Sequence, residues 1–176
     1  MRPRLRWTAL AGLAGGAAFS VALFLTFGLL GGARVGQTGL LFNPAFQSHK
    51  VIAVWKEIQP LPWLITAPAV IMAGVMVLAV GHAFVYRSIS AAWPRRSASR
   101  IWRLAVVIWV LGPPMFELFG PFNLMHEPLY LTAVELTFWA TAAFAEAAAL
   151  VTVLELSTRT ERPPAASAPP AGRLAG

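Results

Sequence analysis

The sequence predicts an all-α fold: an integral membrane four-helix bundle with one short interfacial amphipathic helix in the first extracytoplasmic connection. Three observations carry that prediction. Four apolar runs long enough to cross a bilayer recur along 176 residues. Only 12% of the residues are charged and 57% are hydrophobic, about half the charged fraction of a soluble domain, so polar surface is too scarce to cover a water-facing globule. The basic residues gather at the ends of the apolar runs, where membrane orientation places them.

The first run follows Arg2, Arg4 and Arg6 and is uncharged from Trp7 to Ala33. A signal-peptide core is roughly 7–15 residues, and this run is far longer. A retained first span over about 7–31 is therefore expected. Gly12 with Gly16, and Gly28 with Gly32, form two small-residue pairs at one-turn spacing that would let another helix approach closely.

The connection after it has a different character. Asn43 and Pro44 suit an N-cap and a first-turn proline. Val51, Val54, Trp55 and Ile58 then recur at helical spacing, with Gln47, Lys50 and Glu57 largely off that stripe. The pattern predicts a helix over about 44–58 lying at the membrane surface, stopped by Pro60 and Pro62.

The second span is expected over about 63–86, with Pro68 kinking it or sitting in its first turns. An arginine-rich turn from Arg87 to Arg100 leads into a third span, about 102–119. Gly112, Pro113 and Pro114 should break that helix, because two adjacent prolines remove two backbone donors and clash with the preceding turn. Gly120 and Pro121 then close it. The fourth span, about 128–156, is rich in alanine. Residues 1–156 form one membrane domain, and 157–176, rich in Pro, Ala and Arg, read as a disordered cytoplasmic tail.

Most of the fourteen basic residues fall on one side of this arrangement. Arg2, Arg4 and Arg6 precede span one. Arg87, Arg95, Arg96, Arg100 and Arg103 lie around the second connection, and Arg159, Arg162 and Arg173 follow span four. Only Arg34, Lys50 and Lys56 lie in the first connection. Both termini are therefore expected in the cytoplasm, the membrane being a bacterial plasma membrane. The net charge of +7 reads as orientation and attraction to anionic headgroups near Arg95, Arg96, Arg100 and Arg103. Nucleic acid is not an expected partner, because the arginines flank apolar spans and are not interleaved with aromatics on a polar surface. Membrane lipids, and either a second copy of the chain or another membrane protein, are the partners the sequence allows.

The chain has no cysteine, which excludes disulfides, thiolate metal sites and thiol–disulfide exchange. All seven acids are glutamates, so chemistry built on aspartate-held magnesium has little support.

An ionisable group at the bilayer centre costs about 2.5–3.5 kcal/mol to insert, so each one needs a reason. Glu135 and Glu146 lie three turns apart on one face of span four, about 16 Å from each other, with Trp139 and Ala142 between them. With His82, near the cytoplasmic end of span two, they are the candidates for a proton path. His82 is expected to hydrogen-bond to Glu146 or to a backbone carbonyl. Glu117, Asn123, His126 and Glu127 cluster at the outer end of spans three and four, as a headgroup or ligand site or as a polar cap over broken backbone. No known metal-ligand spacing is present, and a second histidine at the depth of His82 is missing for haem, so no metal and no cofactor is expected. No nucleophile motif or phosphate loop is present, and an enzyme is the less expected outcome.

Three functions remain open. The leading one is a non-catalytic bundle that binds a lipid-like ligand or serves as a subunit of a membrane assembly. The alternative is a proton-coupled small-molecule transporter using the intramembrane glutamates. The third is a membrane enzyme or redox protein with its site at Glu117, His126 and Glu127.

Overall fold

A computed structural model describes residues 3–33 and 39–160. The expectations placed on Arg2, Arg34, Arg162, Arg173 and the tail beyond 160 lie outside the described residues.

Helix α1 runs Pro3–Leu23 and continues to Leu30 in wider turns. Gly31 N–H closes them on Thr26 O at 2.7 Å, five residues back. Gly32 ends the helix at φ 76°, a left-handed corner that glycine enters without penalty. The chain then returns onto the helix end: Leu40 N–H donates to Leu30 O and Leu41 N–H to Gly31 O. A Cβ on Gly39 would lie 2.4 Å from Gly32 N, so this return needs a glycine.

Asn43 and Pro44 do not start the next helix. Asn43 closes a turn instead, accepting from Ala45 N–H through its side chain and from Phe46 and Gln47 N–H through its carbonyl. The cap is Ser48, which accepts from Lys50 N–H, and helix α2 is His49–Ile52, extended by wider turns over Ala53–Glu57. An Asx turn satisfies the asparagine locally and leaves the capping role to the serine.

Trp63–Thr66 forms a separate turn, α3, and α4 starts at Pro68 and runs to Ile89. The arginine-rich turn leads to α5, Ser97–Leu111. Here the chain breaks at Gly112 (φ −132°, ψ −70°), and Pro113–Glu117 form the short α6. Gly120 and Pro121 do not close the span: wider turns carry the helix through Leu118–Leu124 with Pro121 inside them. Such turns remove the steric conflict between a proline ring and the carbonyl that it would otherwise meet. Helix α7 is Leu129–Thr160, running past the expected start of the tail.

Four helical stretches, Leu5–Leu30, Pro68–Ala92, Ser97–Leu124 and Leu129–Thr158, are long and apolar enough to cross a membrane. The protein is a multi-pass helical membrane protein. Helix α1 packs against both α4 and α7, and α5 packs against α7. At one end Ala11, Ala83, Tyr86, Leu104, Ile108, Ala147 and Leu150 join all four helices in one core. At the other, Leu41, Phe42, Val51 and Leu131 form a second core with Phe27, Trp55 and Phe138 around it. The large apolar side chains left exposed, among them Val77, Leu78, Val110 and Phe116, make a surface suited to lipid.

The two glycine pairs behave differently. A Cβ on Gly12 would come within 2.4 Å of the Val80 backbone, and one on Gly16 within 2.7 Å of Met76 Sδ, so this pair seats α1 against α4. Gly28 meets only its own helix, and Gly32 is the left-handed terminus. The second pair is therefore a helix ending, not a packing face.

Candidate functional site

The break at Gly112 and the corner at His126 together decide where three glutamates point. Glu117 closes α6 immediately after the proline pair. Glu127 follows His126, whose φ of 55° turns the chain sharply, and its N–H is held by Pro121 O at 3.0 Å. Glu135 lies in the early turns of α7. Each offers a carboxylate oxygen within 4.8 Å of the other two. All are buried, at 1%, 2% and 7% relative exposure. Sequence reading placed Glu117 and Glu127 in an outer cluster and Glu135 on a separate path towards Glu146; the three form one group. Glu117, on α6 of the third span, reaches Glu135 on α7.

Three donors face the group. Trp139 Nε1–H donates to Glu117 Oε1. Gln47 Nε2–H donates to Glu127 Oε1 at 2.6 Å, and Thr132 Oγ1–H to Glu127 Oε2 at 3.1 Å. Gln47 is itself fixed, since the same nitrogen donates to Leu41 O at 2.9 Å and its carbonyl accepts from Ser48 N–H at 2.7 Å. Ser48 Oγ in turn donates to Met125 O at 2.5 Å, and Tyr130 Oη to Phe46 O at 3.1 Å. The first connection thus packs over the carboxylates and is tied to both sides of the corner beneath it.

The charge balance of this site is unusual. Burial pushes the Glu127 carboxyl above its ordinary value of 4.5; the Gln47 and Thr132 donors pull it back, and neighbouring Glu117 pushes it up again. Glu117 Oε2 is buried with no donor from elsewhere. Glu135 is within hydrogen-bonding reach of Glu117, and two carboxyl groups can share a hydrogen bond only when one of them carries a proton. By donor type, oxygens at this spacing suit a hard cation. The side chains around the group do not complete a cation's shell. Trp139, Gln47 and Thr132 all present N–H or O–H groups, and Gln47 turns its carbonyl away to Ser48, whereas a cation is best completed by further oxygen ligands.

Asn123 and His126, expected beside Glu117 and Glu127, are exposed and stand outside the group. His126 occupies the outside of its left-handed corner, and His49 on α2 is exposed as well. The sequence carried no signal for Gln47, which lies 80 residues from Glu127. Thr132, five residues beyond Glu127, was readable only in hindsight of the corner.

Glu146 occupies a second site. It is 2% exposed, and its Oε1 lies 2.8 Å from His82 Nδ1, the partner expected from the sequence. Gly15 makes room for it, since a Cβ there would lie 3.1 Å from Glu146 Cγ. At the arginine-rich end, Arg87 donates to Thr8 Oγ1 at 2.5 Å, and Arg100 and Ser97 both approach the Glu155 carboxylate, at 3.8 and 2.6 Å.

The chain is a multi-pass helical membrane protein with a buried, hydrogen-bonded glutamate cluster suited to an ion or a proton. No family model, curated protein or solved structure matches it.

Proposed function

We propose that the chain is a proton-coupled transporter of small molecules in which Glu117, Glu127 and Glu135 bind the coupling proton. The observation that carries this reading is the buried, unpartnered Glu117 Oε2 with Glu135 beside it. A group that needs a proton to complete its hydrogen bonding, and sits among other acids, is a group whose proton can be moved. A passive bundle around a lipid-like ligand gives no reason to gather three carboxylates out of reach of both lipid and water, where each is costly to insert. The exposed position of His126 removes it from any shared site with Glu117, which weakens the enzymatic reading.

Orientation completes the proposal. The arginine bias places both termini in the cytoplasm and the carboxylate group towards the outer face. The connection containing α2 would lie along the outer headgroups, and Arg95, Arg96 and Arg103 would meet anionic headgroups on the inner side. Helix α4 offers an exposed face that a second copy could cover.

The test is flux. Protein reconstituted in liposomes loaded with a pH-sensitive dye should show substrate-dependent proton movement for at least one member of a broad small-molecule panel. Glu135→Gln should abolish that movement while the bundle stays folded. Undiminished coupled flux in Glu135→Gln, or no pH-dependent flux for any compound, would exclude the reading.

A further inference from the structure

We infer, building on the proton-carrying reading above, that Trp139 is a gated barrier between two proton sites: the carboxylate group and the His82–Glu146 pair.

The case begins with distance. Glu135 and Glu146 share a face of α7 but lie three turns apart, about 16 Å along the axis. Direct proton transfer needs hydrogen-bond contact or a bridging water. The described residues between them are aromatic and alanine side chains with no titratable group. Trp139 stands one turn beyond Glu135, its ring packed against Phe27 at 5.1 Å and Phe19 at 6.0 Å, both from α1. Phe138 meets Phe27 edge-on at 5.3 Å. Ala142 and Ala143 behind them are 0% and 1% exposed. This layer is apolar apart from the indole N–H, and that group is already committed to Glu117.

The two sites also differ in access. The carboxylate group is buried beneath the first connection, whereas the His82 side chain is 35% exposed against 3% for Glu146. His82 therefore carries the inner pair towards the bundle surface, away from the carboxylate group. The two sites are separate, with the aromatic layer between them. A proton carrier needs this arrangement, because continuous access would be a leak.

The indole bond couples the barrier to charge. Ionised Glu117 accepts a charge-assisted hydrogen bond from Trp139, roughly twice as strong as one to a neutral acceptor. Once Glu117 takes up a proton, the acceptor weakens and the ring is released from its position over the layer. Water can then connect the sites. The proton leaves Glu117 for the Glu146 carboxylate and passes to the unprotonated ring nitrogen of His82. Glu117 returns to the carboxylate form and recovers its bond to Trp139. Among the described residues, the titratable groups facing this path are Glu117, Glu127 and Glu135 on one side and Glu146 and His82 on the other. Helix α1 presents Gly15, Phe19 and Phe27 to it, none of them charged.

The test needs no transported substrate, so it can fail independently of the flux experiment. Full-length protein in liposomes containing pyranine is given a pH gradient with the membrane potential clamped. Trp139→Ala should raise passive proton entry about tenfold over the unsubstituted protein, the scale of losing a hydrogen bond to a charged group. Adding Glu146→Gln should return entry to the original level. Unchanged entry in folded Trp139→Ala, or a leak indifferent to Glu146→Gln, overturns the inference. Should Trp139→Ala fail to fold, 5-fluorotryptophan labelling gives a second measurement. The fluorine resonance lost in Trp139→Phe should move with pH in the unsubstituted protein and stay still in Glu117→Gln. A resonance that ignores pH in the unsubstituted protein removes the link to Glu117.

Discussion

At the scale of single residues, Glu127 turns burial into a measurable pH dependence. Its carboxyl titrates above the ordinary 4.5 in the folded protein. The sign follows from linkage. A raised folded value means that the folded state holds its proton more tightly than the unfolded state. The resulting stabilisation is complete below 4.5 and is lost as pH rises through the raised value. The thermal midpoint in detergent should therefore fall as pH is taken upward from the ordinary carboxylate range. Glu127→Gln should flatten that slope in a thermal-shift series, even where it lowers the midpoint. A slope as steep in Glu127→Gln as in the unsubstituted protein would place the dependence elsewhere. Gln47 and Thr132 moderate the effect, because donors to an ionised carboxylate favour the charged form.

Among the elements, the α1–α4 contact makes the cleanest prediction. A methyl group on Gly12 would strike the Val80 backbone, while one on Gly16 would first strike the Met76 thioether, which is flexible and can move aside. Gly12→Ala should therefore cost about 1–3 kcal/mol, the usual range for overpacking, and Gly16→Ala clearly less. Equal losses in chemical or thermal unfolding would show that α1 and α4 can slide apart. The same elements show how far the sequence was legible. Apolar run length found the four spans, and the proline pair announced the break at Gly112, because both are local properties of the chain. The extension of the third span through Pro121 was hidden: a proline ordinarily ends a helix, and only the widened turns around it, supported by tertiary packing, let it continue. That hidden extension also moves the corner at His126, and with it Glu127, beyond the expected end of the span. The Asn43–Pro44 cap failed for a related reason. Asparagine has a local alternative in its own turn, and nothing in the sequence ranks it against Ser48.

For the whole molecule, four crossings would place residues 3 and 160 on the same side, which the arginine bias predicts to be the cytoplasm. A single cysteine in place of exposed His49 should react with an impermeant thiol reagent added outside intact cells, whereas a cysteine in place of exposed Ala91 should react only after the membrane is opened. The reverse pattern would invert the orientation while leaving the fold untouched. The position of α1 has one more consequence, for the order of biogenesis. Helix α1, which packs against both α4 and α7, is made before either of them, and α7 is made after α4 and α5. During synthesis α1 must wait in the bilayer with its α7-facing side, including Gly15, Phe19 and Phe27, unpaired. Helix α7 brings two glutamates that lipid alone accepts poorly, and it emerges into a bilayer where Glu117, His82 and that waiting face of α1 are already present. The earlier spans thus present α7 with a ready-made polar and aromatic surface on which its glutamates can be buried.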